Sequence, residues 1–557
     1  MSQHSLHLPA APGPASTARR PEGPRAVVRP LVLPLAGLLL AGCSATDPDA
    51  TAVAGSAPAA DGGIVIGVGS EPDHLNPVLG YAPDGASRLF DSLLVREADL
   101  SLAPSLATSL PEPSPDGLTW TVELRDDVVF HDGEPLTAED VVFTYETVLD
   151  PAVASPLAGD LAALAEVVAL DEGTVEFRLE QPYAPFPGRL TLGIVPEHVL
   201  TGTTDWEGVA FNREPVGSGP YRLTSWSAGD AMVLEANEQY WDGVPEVSPV
   251  TFATTTDDQA RAARMSAGEL DAAVLPARLA EQFEDTDGLQ VQRRATADYR
   301  GVMLPQEHPV TGDLAIRRAL DLAVDREAMV DGVLAGAGEP AYGPVAPSLD
   351  DYYSPAAERS HDPAAAEQLL DDTGWVLGDD GVRSRDGVRA ELTVMYPAGD
   401  TVREQLALAV ATDARAVGVD VTVDGLSWEA IEPRLGTDAL VMGYGSPYDP
   451  DFISYQLFHS SYAGQGFFNP GSYDNPAVDE ALDDGRTAVE DAERQEAYTR
   501  LQTELAADPP WLFLTYLEHV YVVSDGWQGS DVEQVEPHDH GFNAGPWWNI
   551  EDWSRRA

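Results

Sequence analysis

The segment Tyr444–Tyr462, YGSPYDPDFISYQLFHSSY, concentrates side chains that could bind a solute. It contains Asp449, Asp451 and His459 among several tyrosines. A carboxylate in a cleft that excludes water holds an ammonium group or a metal chelate more firmly than it would in water, because the effective dielectric is lower. Tyrosine rings offer flat walls with a polar end, which suits varied organic ligands. The alternative is a surface loop rich in turn residues, and the sequence leaves both interpretations open.

A second group of ligating residues lies near the carboxyl end, in Glu536-Pro537-His538-Asp539-His540. His538 and His540 have the H-x-H spacing of a metal site, but two histidines and one acid make an incomplete coordination shell. A solvated loop is the simpler interpretation. We therefore expect no cofactor, and these two histidines are only weak metal candidates.

Several catalytic and nucleotide-binding motifs are excluded by composition. The chain contains no lysine, which rules out a Walker A loop, a Schiff-base lysine and an S-x-x-K nucleophile. The sequence also has no G-x-S-x-G and no H-E-x-x-H motif. Its formal net charge of −60 disfavours binding to nucleic acid, because the phosphate backbone would be repelled. None of these catalytic or nucleotide-binding sites is therefore expected.

The elements that must position these residues have local signatures, of which the clearest is in Leu118–Val148. Apolar and polar residues alternate along its first part, which predicts a half-buried strand, and Val128–Phe130 is predicted to form a second short strand. Thr137 and Asp140 have the spacing of a capping box, and the apolar residues after them recur at helical spacing. The segment therefore predicts a strand, a hairpin and a capped helix.

Elsewhere the sequence predicts strands that alternate with helices. Ile64–Val68 is a short apolar run that is typical of a buried parallel strand, and Asp313–Val330 has the periodicity of one amphipathic helix. Glu391–Tyr396 and Val419–Val423 are predicted strands that flank a helix of alanines and leucines, which is the order of a βαβ unit. A chain of 557 residues is too long for one ordinary core, so we predict a multi-domain α/β protein.

The amino terminus predicts export and lipid attachment. Four arginines precede the apolar run Leu31–Gly42, which is too short to span a bilayer and fits a signal peptide. The run leads into Leu40-Ala41-Gly42-Cys43, which resembles a bacterial lipobox, and Cys43 is the only cysteine of the chain. We predict a lipoprotein signal peptide over residues 1–42, lipidation of Cys43 and a flexible tether over residues 43–61.

Motifs along nearly the whole mature chain resemble those of family 5 extracellular solute-binding proteins, which serve peptide, nickel and related ABC importers. The family pattern V-x-F-x-D-G-x-P-x-x-A-x-D-V-x-F is matched by Val128, Phe130, Asp132, Gly133, Pro135, Ala138, Asp140, Val141 and Phe143. Further similar motifs follow in the family's order, at Pro215–Tyr221, Tyr240–Gly243, Ala267–Asp271, Arg317–Leu320 and Asp362–Trp375.

The resemblance implies a two-lobed α/β fold of the type II periplasmic-binding-protein class, in its peptide- and nickel-binding cluster. The first lobe, with an extra subdomain, is expected over residues 62–302, the second over 303–521, and a return to the first over 522–557. The implied function is that of a receptor anchored by lipid to the outer face of the cytoplasmic membrane. It would capture a solute by closure of the lobes and deliver it to an ABC permease, as a monomer.

The resemblance also suggests ligand contacts in the tyrosine-rich segment. Peptide-binding members have an aspartate in this region that neutralises the ammonium group of the peptide, which makes Asp449 and Asp451 candidates. Nickel-binding members have a similar P-Y-D-P-H run and a histidine further along the chain. Here Pro447–Pro450 matches that run, Asp451 replaces its histidine, and His459 lies near the position of the second one.

Other candidate contacts follow from where the family places its cleft. Tyr81 lies in a loop that faces the cleft in family members. Arg300 lies on a strand that would cross between the lobes, where its guanidinium could pair with a ligand carboxylate, although an ordinary ion pair is an equal alternative. Trp428 and Tyr444 are candidate cleft walls or core residues, and Tyr448 belongs to the matched run.

The sequence leaves the ligand and part of the function open. A peptide or related amine-bearing solute is favoured, and a nickel chelate is the alternative because of the P-Y-D-P run and the histidines. A secreted metal-dependent hydrolase that uses His538 and His540 is a competing class. A signalling receptor that reports the ligand without import is a third.

Overall fold

The computed structural model describes residues 63–85, 87–538 and 541–556. The predicted signal peptide, the tether, Cys43 and His540 lie outside the described residues. The strands in chain order are β1 Ile64–Val68, β2 Leu94–Arg96, β3 Leu102–Pro104, β4 Thr119–Glu123, β5 Leu164–Asp171, β6 Thr174–Leu179, β7 Tyr221–Ser227, β8 Ala231–Ala236, β9 Val250–Thr254, β10 Ala272–Val274, β11 Leu289–Arg294, β12 Tyr299–Met303, β13 Gly338–Pro340, β14 Val376–Leu377, β15 Arg383–Arg385, β16 Val388–Arg389, β17 Glu391–Pro397, β18 Asp420–Leu426, β19 Ala439–Tyr444, β20 Trp511–Leu517, β21 His519–Ser524, β22 Trp527–Gln528 and β23 Ser554–Arg555.

The α-helices in chain order are α1 Ala138–Leu149, α2 Phe186–Arg189, α3 Glu197–Leu200, α4 Asp258–Ser266, α5 Ala277–Ala280, α6 Leu314–Ala323, α7 Arg326–Gly332, α8 Pro363–Asp372, α9 Thr401–Ala416, α10 Trp428–Ile431, α11 Asp451–Phe458, α12 Pro476–Thr487 and α13 Asp491–Ala507. No helix in the described part of the chain is long and apolar enough to cross a membrane.

The first lobe is built on a seven-stranded sheet in the order β11-β21-β10-β1-β9-β8-β7. Strand β1 lies at its centre and pairs in parallel with both β9 and β10. All five residues of β1 are buried, because helices or loops cover both faces of the sheet. The prediction of a buried parallel strand at Ile64–Val68 is confirmed.

A three-stranded sheet, β4-β6-β5, and helix α1 form a subdomain of the first lobe. The backbone N–H and the hydroxyl of Thr137 both donate to Oδ2 of Asp140, at 2.9 and 3.1 Å, so the predicted helix start is confirmed. Trp120 and Val122 of β4 share one apolar core with the strands of the large sheet. The strand predicted at Val128–Phe130 is wrong, because only an isolated bridge between Val129 and Pro135 forms there.

The second lobe is built on a six-stranded sheet in the order β13-β20-β12-β19-β17-β18. Strands β17 and β18 pair in parallel and are joined by α9, so the predicted βαβ unit is confirmed. One apolar core lies between this sheet and helices that include α6, α8 and α9. A second core lies between the sheet and helices that include α12 and α13.

The single helix predicted over Asp313–Val330 is wrong, because the chain breaks it into α6 and α7. Val324 adopts an extended conformation, and the Asp325 carboxylate caps α7 by accepting a hydrogen bond from Ala328 at 3.0 Å. The break turns the buried Arg326 side chain toward the sheet, where it donates to the Phe513 carbonyl at 2.7 Å and pairs with Asp321. The apolar periodicity continues across the break, so the sequence pattern could not reveal it.

Candidate functional site

Two short crossings join the sheets of the lobes. The chain leaves the first sheet after β11 and enters the second at β12, and it returns between β20 and β21. Tyr299 at the start of β12 pairs with Tyr444 at the end of β19, and Leu275 just after β10 donates its N–H to Val520 at the start of β21. The crossings therefore connect the carboxyl ends of parallel strands in both lobes, which is the edge where open α/β sheets bind ligands.

The edge of the second sheet carries several of the predicted contact residues. Tyr444 ends β19, and its hydroxyl donates to the carbonyl of Phe467 at 3.0 Å. Trp428 follows the end of β18 and meets the Phe467 ring edge to face, with ring centroids 5.5 Å apart. The side chains of Trp428 and Tyr444 are only partly buried, and both contact Phe467. Together they form an aromatic wall at this edge of the sheet.

A buried ionic cluster lies at the crossings, centred on Asp298. Its carboxylate pairs with Arg300, contacts Nδ1 of His538 at 2.7 Å and contacts Nε2 of His519 at 3.2 Å. Burial alone would raise the pKa of Asp298, but the positive charge of Arg300 and the hydrogen bonds from His519 and His538 outweigh it and hold this pKa well below its usual value. Arg300 therefore has an acidic partner inside the protein, and its proposed contact with a ligand stays a prediction.

His519 extends this cluster into the first lobe, where its Nδ1 lies 2.8 Å from Oε2 of Glu536. Burial opposes a charge on the ring, yet the hydrogen bonds to Asp298 and Glu536 prevail and raise the pKa of His519 to about 9. The Tyr521 hydroxyl also donates to Glu536, at 2.5 Å. In the described part of the chain, no three histidine, cysteine or acidic side chains are grouped so that they could hold a metal ion.

Asp449 and Asp451 both pair with arginines of their own lobe. Asp449 accepts from Nη2 of Arg494 at 2.6 Å. Asp451, which is fully buried, accepts from Nε and Nη2 of Arg486 at 3.0 and 2.8 Å. The two arginines neutralise both carboxylates, so a ligand ammonium would have to compete with an existing ion pair.

The remaining predicted residues lie in three different environments. The Tyr448 ring is covered by the guanidinium of Arg96 from the first lobe, 4.2 Å from its centroid. His459 stacks on Tyr455, with centroids 4.5 Å apart and ring planes 13° apart. Tyr81 is buried in the core of the first lobe, where its hydroxyl donates to Oδ1 of Asn543 at 3.2 Å.

The segment after Tyr448 lies against the subdomain of the first lobe. Gln456 donates from Nε2 to Oδ1 of Asp160 at 2.9 Å, and the Tyr183 hydroxyl donates to Oδ2 of Asp451 at 3.3 Å. The guanidinium of Arg189 lies 3.6 Å above the ring of Phe452. These contacts join the lobes through segments that are distant in sequence from the two crossings. They hold the lobes together by polar and cation–π interactions.

A cavity of about 440 Å³ opens beside these interlobe contacts. The side chains that matter for its chemistry are Asp160, Glu180 and Tyr183 from the first lobe and Tyr455, Tyr462 and Arg486 from the second. Its volume is within the range of small-molecule sites, and its lining combines aromatic and charged groups.

The family follows from comparison with known proteins. A family model described as bacterial extracellular solute-binding proteins, family 5 middle, matches residues 101–465. The chain belongs to this family. It is 51% identical over 483 residues to protein XP55 of Streptomyces lividans, with 87% of this chain and 89% of that protein covered. The two-lobed periplasmic-binding-protein fold expected from the sequence is confirmed.

Two solved structures illustrate the likeness. NikZ from Campylobacter jejuni, in complex with Ni(L-His), is 29% identical with a TM-score of 0.82, over 89% of this chain and 100% of that one. The oligopeptide-binding protein AppA from Bacillus subtilis, in complex with a nonapeptide, is 28% identical with a TM-score of 0.77, over 89% of this chain and 99% of that one. Family 5 proteins are thus solute-binding proteins of ABC importers whose known ligands include peptides and nickel chelates.

Sequence reasoning missed the family 5 subdomain as a contributor to the site. Asp160, Tyr183 and Arg189 belong to no motif that was recognised, and they lie far from Tyr444–Tyr462 along the chain. Arg486 was missed because nothing local indicates that it pairs with Asp451, 35 residues earlier.

Proposed function

We propose that the protein is a lipid-anchored receptor of an ABC importer that captures a peptide or related amine-bearing solute between its lobes. The observation that carries the proposal is the arrangement at the crossings. The carboxyl ends of parallel strands from both sheets meet there. A separate cavity, lined by Asp160 and Tyr462, also lies where the lobes touch. Family membership supports the transport role.

Closure of the two lobes would capture the solute. The interlobe contacts of Tyr183, Gln456 and Arg189 form only when the lobes are together. A solute that touches both lobes adds free energy to the closed state alone and so shifts the population toward it. The two crossings at Arg294–Tyr299 and Leu517–His519 would act as the hinge.

A nickel chelate is the second candidate, favoured by the likeness to NikZ. Because the described residues contain no three-ligand cluster, a nickel ion would have to bring most of its ligands with it, as an amino-acid chelate does. The tyrosines and Arg486 of the cavity would then bind the organic part of the complex.

The melting temperature of the protein separates these ligands. A mixed peptide library should raise it, because a ligand at about 100 times its Kd stabilises the folded form by about 2.7 kcal/mol. Nickel with L-histidine is tested in parallel. A shift with nickel and histidine alone would favour the chelate, and no shift with either would contradict the proposal.

The anchor is tested through Cys43. A Cys43→Ser variant should no longer incorporate radiolabelled fatty acid and should appear in the culture medium, because the protein would lose its lipid. Retention of this variant in the membrane fraction would contradict lipid anchoring.

A further inference from the structure

Two aromatic rings of the second lobe are covered by arginines of the first lobe. The guanidinium of Arg96, at the end of β2, lies 4.2 Å from the centroid of the Tyr448 ring. The guanidinium of Arg189, at the end of α2, lies 3.6 Å from the centroid of the Phe452 ring. One short segment supplies both rings, since they are four positions apart in the chain. Both stacks cross the boundary between the lobes and so stabilise the closed arrangement.

The first lobe by itself can hold these two guanidinium groups in place. Arg96 is 9% exposed, and its Nη1 donates to the carbonyl of Leu100 at 3.3 Å. Nε of Arg189 donates to the Tyr183 hydroxyl at 3.4 Å, and its Nη2 lies 3.4 Å from Oδ1 of Asp160. Because all three partners belong to the first lobe, the flat faces of the arginines are prepared to receive the rings of the second lobe.

Gly188 makes room for the Phe452 ring against the first lobe. A Cβ atom added at this glycine would lie 2.7 Å from Cζ of Phe452 and 3.1 Å from Nη2 of Arg96. The first distance is well below the contact distance of two carbon atoms, so a larger residue would push the ring away. The ring has little space to move, because it is 6% exposed and Arg189 covers one face. Gly188 lies in helix α2, so this close approach is the reason for a glycine there.

We propose that these contacts form a latch that sets how tightly every captured solute is held. The latch consists of Arg96, Gly188, Arg189, Tyr448 and Phe452. The inference rests on the proposed function, because it concerns how the lobes close on a solute. Each latch contact joins protein to protein, so the latch adds the same free energy to the closed form whatever the solute is. A weaker latch should therefore lower the affinity for every solute by the same factor.

The test inserts one methyl group into the latch of the full protein. In Gly188→Ala the new Cβ atom meets the Phe452 ring, and alanine is well tolerated in helices. Gly332→Ala is the matched control, because Gly332 also lies in a helix and a Cβ atom there would meet nothing within 4 Å. Solution scattering without added solute measures the radius of gyration. Calorimetry measures the affinity for short and long fractions of a mixed-sequence peptide library and for nickel with L-histidine.

We expect Gly188→Ala to have a larger radius of gyration than the unaltered protein. It should bind each probe that the unaltered protein binds about tenfold more weakly, because the two cation–π contacts are lost, and by the same factor for short and long peptides. Gly332→Ala should change neither quantity.

A second variant tests the latch from the other lobe. Phe452→Leu removes the ring atoms that approach Gly188, so it should open the lobes as Gly188→Ala does. Adding Gly188→Ala to Phe452→Leu should produce little further opening, because the new methyl group then has no ring to displace.

Three results would overturn the latch. The first is a radius of gyration in Gly188→Ala equal to that of the unaltered protein. The second is a loss of affinity confined to one probe, which would mean that this position contacts the solute. The third is additive opening by Gly188→Ala and Phe452→Leu, which would mean that the two residues act independently. If the unaltered protein binds no probe, the proposed function fails, whereas the scattering still decides whether the latch holds the lobes together.

Discussion

The side-chain amide of Gln456, in the second lobe, donates a hydrogen bond to Asp160, in the first lobe, over 2.9 Å. The hydroxyl of Tyr183 makes a second polar contact across the same boundary, to Asp451 at 3.3 Å. One of the two donors lies in each lobe. Because both hydrogen bonds cross the boundary, both stabilise the closed arrangement of the lobes.

Removal of both interlobe hydrogen bonds should favour an open form. In the double variant Tyr183→Phe/Gln456→Leu, each lost bond costs the closed state about 1 kcal/mol. We expect a larger radius of gyration in solution scattering without ligand and weaker binding of the peptide library. Gln368→Leu is the control, because Gln368 is exposed and its hydrogen bond to Asp372 lies within helix α8 of the second lobe. Identical scattering from both variants would contradict a closing role.

Removing only one partner of the ion pair between Asp449 and Arg494 should destabilise the folded protein. Asp449→Asn leaves the buried Arg494 without its carboxylate, and we expect a loss of about 3 kcal/mol in the free energy of unfolding, measured in urea. Adding Arg494→Met should cost less than the sum of the single changes, because no unpaired charge then remains.

The control is an exposed ion pair that also uses helix α13. Asp484 in α12 and Arg500 in α13 form an ion pair whose side chains are about half exposed. Asp484→Asn should change the free energy of unfolding by less than about 1 kcal/mol, since water screens the charges. Equal losses at Asp449 and Asp484 would show that burial does not govern these pairs.

Stability should fall as the pH rises through the neutral range, because of buried acids in the first lobe. Burial raises the pKa of Glu551 from 4.5 to about 7 and that of Asp91 from 3.8 to about 6. The folded protein therefore binds more protons than the unfolded chain at intermediate pH. The contribution of these two groups to the free energy of unfolding is greatest below pH 4, and it is lost as the pH rises through 6 and 7.

A Glu551→Gln variant isolates this effect. One carboxylate oxygen of Glu551 is buried without a hydrogen-bond partner, and glutamine is neutral at every pH. We expect the variant to be more stable than the unaltered protein at pH 8, by about 1 to 3 kcal/mol, and no more stable at pH 4. Urea unfolding at both pH values measures the difference. The exposed Glu246, changed to Gln, should leave the pH dependence unaltered.

His519 should stabilise the folded protein over a different pH range. Its pKa is raised from 6.5 to about 9, so its stabilising contribution is complete below pH 6.5 and is lost as the pH rises through 9. His519→Gln should destabilise the protein by about 3 kcal/mol at pH 6, because Asp298 and Glu536 lose a charged donor. His198→Gln is the control, since His198 is exposed and its ion pair is with the surface residue Asp132. A His519 variant as stable as the control would contradict a structural charge at this position.

Local structure was predictable wherever the determinants are neighbours in the chain. The capping residues Thr137 and Asp140 are three positions apart, so the sequence alone predicted the start of α1. The βαβ unit around α9 followed from periodicity for the same reason. The break between α6 and α7 was missed because the apolar periodicity continues across it, and the contact that the break allows, from Arg326 to Phe513, involves a residue far along the chain.

What the sequence determined by itself is therefore the alternation of strands and helices, the family and its two-lobed fold, and the aromatic, acid-rich character of Tyr444–Tyr462. Only the tertiary structure decided how these acids are paired. Asp449 and Asp451 pair with Arg494 and Arg486, and Asp160 lies 3.4 Å from Arg189. The physical reason is that charge pairing and burial depend on which distant segments meet, and any of the chain's 32 arginines could in principle satisfy a given carboxylate.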